Sequence, residues 1–115
     1  MGFGGAVTSK RPSGVKADRN VVLFVSSLKK GSYLLKIVND GLDVLKENMF
    51  AGDRVERRKF PRYYVQNFGV NNLYKYNLDA RTRLVYTLVA EESGVAVVVL
   101  EILDHKTYDE RFGYR

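Results

Sequence analysis

Past residue 70 the chain takes on a period of two, and this block constrains the fold more than any other feature. Residues 73–78, 83–90 and 95–103 each read as a strand. In the middle one, Leu84, Tyr86 and Leu88 alternate with Arg83, Val85, Thr87 and Val89, the spacing that sends neighbouring side chains to opposite sheet faces. Asp79-Ala80-Arg81 and Glu91-Glu92-Ser93-Gly94 separate the strands. Linkers this short make hairpins, so the three strands run antiparallel. The last strand is apolar at every position except Glu101, which predicts a central strand covered on both faces.

The residues ahead of this block must supply cover. Residues 20–26 read as a first strand, with Val21, Val22, Leu23, Phe24 and Val25 in a row. A helix follows, because Leu34, Ile37, Val38, Gly41, Leu42, Leu45 and Met49 recur every three or four residues. Ser27 or Ser32 could cap its start. Gly52 and Asp53 interrupt it. A second, shorter helical stretch carries Val55 and a basic run; Pro61 breaks or restarts it, and Gly69 stops it after Tyr63, Tyr64 and Phe68. Residues 104–112 form a short helix or turn. The expected architecture is α+β: an N-terminal strand, two helices, then antiparallel strands in one sheet with the helices on one face. The other face, covered only in part, would be an exposed, concave, basic surface suited to a polyanion. With 115 residues there is room for one domain. Residues 20–115 are assigned to it. Residues 1–19, rich in Gly, Ser and Lys, read as a flexible basic arm.

Nineteen Lys and Arg stand against thirteen Asp and Glu, a net charge of +6, which favours an anionic partner. The excess sits in two blocks. One is the arm, with Lys10, Arg11, Lys16 and Arg19 against Asp18. The other is an internal cluster, with Arg54, Arg57, Arg58, Lys59 and Arg62 against Asp53 and Glu56. The absence of cysteine excludes disulfides, thiol chemistry and cysteine–zinc sites. A single histidine, His105, excludes a multi-histidine zinc site within one chain. The longest apolar runs fall far short of the roughly 20 residues of a spanning helix. No secretory or myristoylation signal is present. A cytoplasmic protein with no membrane association is the expectation. No phosphate loop, dinucleotide fingerprint, calcium loop or serine-nucleophile motif appears.

Arg81 and Arg83 share a sheet face if their strand starts early enough, and Lys75 on the preceding strand could lie across from them. Three cations there would clamp a phosphate, Arg by bidentate contacts; otherwise they are ordinary charges at a strand edge. His105 could move a proton near neutral pH, or serve only as a turn residue. Tyr63, Tyr64, Tyr74, Tyr76, Tyr108 and Tyr114 interleave with Arg and Lys, as base stacking on single-stranded RNA requires. Tyr74 and Tyr86 read as structural.

Asn72-Leu73-Tyr74-Lys75-Tyr76, then Arg83-Leu84-Val85-Tyr86-Thr87, then Leu103-Asp104-His105-Lys106-Thr107-Tyr108 and Arg111-Phe112-Gly113-Tyr114 together resemble the RelE/ParE toxin superfamily, and within it the archaeal RelE-like proteins. The resemblance runs from Val21 to Tyr114. It implies the toxin of a type II toxin–antitoxin pair, a messenger RNA endoribonuclease that works in the ribosomal A site. The ribose 2′-hydroxyl attacks the adjacent phosphate, and neither a metal nor a small-molecule cofactor is needed. By the same resemblance Arg83 serves the scissile phosphate, His105 is acid or base, and Tyr108 stacks on or orients a base. Lys75, Arg81 and Lys106 add RNA contacts, and Arg54, Arg57, Arg58, Lys59 and Arg62 grip ribosomal RNA. Glu101 and Glu56 are the acidic residues considered for a general base. The implied partners are a cognate antitoxin, the ribosome and messenger RNA. Two other readings stay open: a ParE-like topoisomerase inhibitor, and a non-catalytic RNA- or protein-binding module on the same fold.

Overall fold

The computed structural model describes residues 9–113. Its elements are β1 (Gly14–Ala17), α1 (Arg19–Ser27), α2 (Tyr33–Glu47), β2 (Asp53–Arg54), a 3-10 turn (Arg57–Lys59), α3 (Arg62–Phe68), β3 (Tyr74–Asn77), β4 (Thr82–Glu91), β5 (Gly94–Asp104) and α4 (His105–Phe112). They form an α+β fold around one five-stranded sheet of order β1-β5-β4-β3-β2. β1 runs parallel to β5; every other pair is antiparallel. The three-strand hairpin block is therefore present, with β5 inside the sheet as its apolar sequence requires.

The N-terminal reading needs two corrections. Residues 20–26 are not a strand but most of α1. The Asp18 carboxylate accepts the Asn20 N–H and starts the helix. The sheet position beside β5 is already taken by β1, which lies inside the stretch read as a flexible arm. Gly14 pairs with Ala96 and Ala17 with Val99, and the Asp18 N–H closes the strand on Val99 O at 2.8 Å. The first eight residues of the arm lie outside the described residues. Because α1 buries only Val21, its apolar run remains on the surface: Leu23 is 56 % exposed and Val22 49 %.

A third correction concerns the layers. α1 and α2 cover one face of the sheet, where Val21, Leu45 and Met49 pack on Tyr74, Leu84, Tyr86, Val97 and Val99. The opposite face is not an open basic surface. Tyr64 of α3 and Tyr108 of α4 close it over Leu73, Val85, Leu100 and Leu103. A β-bulge feeds this second core. Val85 pairs with Glu101 and Tyr86 with Val99, leaving Leu100 over. Leu100 and Glu101 then both meet the α3–α4 side.

Of the two candidate caps, Ser32 starts α2, its hydroxyl accepting the Leu35 N–H, and Ser27 is the last residue of α1. The basic run is not a helix face: Arg54 lies in β2, the next three cations form the 3-10 turn, and Arg62 opens α3. Pro61 separates turn from helix, and Gly69 ends α3 with φ at +61°. No helix among the described residues is long and apolar enough to cross a membrane.

Where α2 leads into β2, backbone and sheet touch. The Tyr86 hydroxyl donates to Met49 O at 2.8 Å and accepts the Gly52 N–H at 3.0 Å. A Cβ on Gly52 would stand 2.6 Å from Lys75 O and 2.9 Å from the Tyr86 ring. Gly52→Ala is expected to cost about 1–3 kcal/mol, read as a lower urea midpoint with an unchanged slope.

Candidate nucleic-acid interface

Strand register gathers the site. On β4, Arg83 and Val85 point to the α3–α4 side. Lys75 on β3 is paired with Val85, and Asn77 with Arg83, so Lys75 lies diagonally from Arg83 on the same face. α4 leaves the end of β5 and lays the Tyr108 ring between them. The Arg83 guanidinium carbon and the Lys75 ammonium each lie 5.8 Å from its centroid. Phe112 stacks on the ring at 4.3 Å.

The electrostatics of this trio are unusual for a surface cluster. Two cations share one ring, and Lys75 has the carboxylate of Asp53 at 3.7 Å, itself well exposed. No carboxylate among the described residues pairs with Arg83. Its Nη1 donates to Asp79 O at 3.1 Å and Ala80 O at 3.2 Å, bracing the β3–β4 turn. Its Nη2 makes no hydrogen bond among the described residues, and its Nε is buried without a partner there. The side chain as a whole is only half-buried, and a buried N–H left unmet costs about 1–3 kcal/mol.

The other residues singled out fall around this trio or away from it. Arg81 lies in the turn, because β4 begins only at Thr82, so it does not share the strand face as expected. His105 is the first residue of α4, exposed, with no side-chain hydrogen bond among the described residues. It stands one turn before Tyr108, on the same helix face. The pairing of Arg83 with Leu103 puts both at one end of the sheet. Lys106 is exposed beside it. Tyr108 is only 3 % exposed. Its ring is thus a support for the two cations, not a platform for a base, which corrects the stacking role. Arg54, Arg57, Arg58, Lys59 and Arg62 form a separate exposed patch. Glu56 is taken by Arg58 at 3.0 Å and Lys59 at 3.6 Å.

Glu101 is not a free base either. Arg111 grips its carboxylate through two bonds of 3.0 and 2.8 Å, and the Tyr64 hydroxyl donates to it at 2.7 Å. Arg111 also lies 3.7 Å over the Tyr63 ring. Burial, then the bond to Glu101, pushes the Tyr64 phenol far above its usual range. Burial opposes the charge on Arg111, but its bonds to Glu101 outweigh it and raise its pKa. This network locks α4 onto the sheet. Its sequence signal was the one charged residue in an apolar strand. Among the described residues, no three His, Asp or Glu side chains stand together as metal ligands.

At the start of α4, Asp104 accepts the Thr107 N–H at 2.8 Å, and that bond holds its carboxyl below the usual value. A depressed carboxylate stabilises the fold above its unfolded pKa of about 3.9, and that contribution is lost as pH falls through the folded value. Asp104→Asn is expected to flatten the acid limb below about pH 4, seen in urea midpoints taken down the pH scale.

No family model, curated protein or solved structure matches the chain.

Proposed function

We propose that this protein is a messenger RNA endoribonuclease of the RelE kind, the toxin of a type II toxin–antitoxin pair. It would act in the cytoplasm on the ribosome and be silenced by a cognate antitoxin. The observation that carries this reading is Arg83, held over a buried ring beside Lys75 with no carboxylate partner and a buried N–H unmet among the described residues. Such a pair, fixed in place before any ligand arrives, suits the charge that gathers on a phosphate in the transition state.

In the reaction the ribose 2′-oxygen bonds to phosphorus as the bond from phosphorus to the 5′-oxygen breaks. The products are a 2′,3′-cyclic phosphate and a 5′-hydroxyl. Arg83 would neutralise the non-bridging oxygens, with Lys75 as a second cation. His105 would take the 2′-proton or return one to the leaving oxygen. Tyr108 would position both cations. Arg81, Lys106 and the 54–62 patch would add backbone contacts that fix the substrate.

One observation favours a non-catalytic binding module instead: nothing among the described residues orients the His105 ring. Inducing the protein in growing cells separates the readings. The endonuclease reading expects protein synthesis to fail before DNA synthesis, with Arg83→Ala restoring growth. DNA synthesis failing first, with a damage response, would point to a topoisomerase. No arrest from folded, antitoxin-free protein would leave the binding module.

A further inference from the structure

Away from Arg83, the tight turn between β2 and α3 builds an open hollow of about 340 Å³. Arg54, Val55, Glu56, Arg57, Phe60 and Asn71 line it. Its size is near the low end of the roughly 300–1,000 Å³ of small-ligand sites, which suits a single nucleotide.

The hollow is held rigid. The Val55 N–H bonds Leu73 O at 2.9 Å, and within the turn Lys59 bonds Glu56 O and Phe60 bonds Arg57 O. Phe60 packs partly on the second core and leaves part of its ring accessible. The Arg57 guanidinium lies 6.0 Å over that ring, pinned by its bond to Asn71 O at 3.0 Å. Glu56 is the only acid in the lining, and Arg58 and Lys59 already engage it. Arg54 and Arg57 therefore have no carboxylate partner among the described residues. The Asn71 amide accepts a bond from Asn72 through Oδ1, and its own NH₂ donates to nothing among the described residues.

We infer that this hollow takes one unpaired nucleotide of single-stranded RNA, its base stacked on Phe60 and its flanking phosphates on Arg54 and Arg57. The choice of RNA rests on the function proposed above; the nucleotide chemistry rests on the hollow. An aromatic face beside two unneutralised guanidiniums is the pairing that non-specific single-strand binders use. An acidic peptide would satisfy the guanidiniums but leave the ring unused.

The test is fluorescence anisotropy of a labelled 2′-O-methyl octanucleotide, which cannot be cut, with the full chain. Phe60→Leu is expected to weaken binding roughly tenfold, the worth of one stacked base, with the salt slope unchanged. Arg54→Gln is expected to lower that slope by about 0.7. Phe60→Tyr, which keeps the stack, should bind like the wild type. A backbone of equal charge made abasic throughout should bind roughly tenfold more weakly, and this arm does not depend on any variant folding. Equal affinity for the abasic and base-bearing strands overturns the inference, as does full competition by poly-glutamate of equal charge with no effect of Phe60→Leu. Failure of RNA cutting with these binding effects intact would remove the endonuclease reading and leave the nucleotide site standing.

Discussion

Arg83→Ala is expected to slow messenger cutting by roughly 10²–10³-fold, the usual cost of losing one preorganised transition-state donor. The protein should stay folded. What the fold loses is one nitrogen's bonds to Asp79 O and Ala80 O and a contact with the Tyr108 ring, about 1 kcal/mol, while the unmet Nε–H disappears. Arg83→Lys separates charge from geometry. An ammonium restores the positive charge but not the planar fork, so its rate should fall between those of the wild type and the alanine variant. Single-turnover rates and urea midpoints on the three proteins check both halves. A lost rate in step with a lost fold would return Arg83 to bracing the turn.

The largest expected effect on stability belongs to Tyr86. It is fully buried, and it stacks on its register partner Tyr74 at 5.1 Å. Its hydroxyl is the tie between the end of α2 and the sheet, donating to Met49 O and accepting the Gly52 N–H. Burial pushes its phenol up to about 12, so it stays a neutral donor across the working range. Tyr86→Ala is expected to cost about 3–5 kcal/mol, as truncation of a large core aromatic does. Total stabilities of about 5–15 kcal/mol make that a large share. Tyr86→Phe keeps the ring and leaves two backbone groups unpaired, about 1–3 kcal/mol. Equilibrium urea unfolding orders the three proteins.

The legible parts of the fold were those written in local patterns. The α2 stripe and the two hairpins follow from spacing and turn residues alone, while the cap stayed open between Ser27 and Ser32 and residues 104–112 between helix and turn. The N-terminus was not legible, because Val21 to Val25 is a short apolar run whose period fits either element. What decides it is the Asp18 cap and the parallel pairing of β1 with β5, a contact across some eighty residues of chain. The layers were half-legible. An apolar β5 announced cover on both faces, yet Tyr64 and Tyr108 were read for chemistry rather than as the cover itself.

The site divides in the same way. Arg83 and Lys75 came from the period of two. Arg81 missed the face because the strand starts one residue after it. Glu101 stands out locally as the one charge in an apolar strand, but its partners Arg111 and Tyr64 do not, since the bulge that turns Glu101 toward them depends on the pairing of β4 with β5.

The most direct measurement is primer extension on a defined messenger in a translating extract, with the wild type and Arg83→Ala, and with ribosomes present or removed. The account predicts cuts that require both ribosomes and Arg83. No cuts from folded, antitoxin-free wild-type protein, or equal cuts from Arg83→Ala, would contradict it.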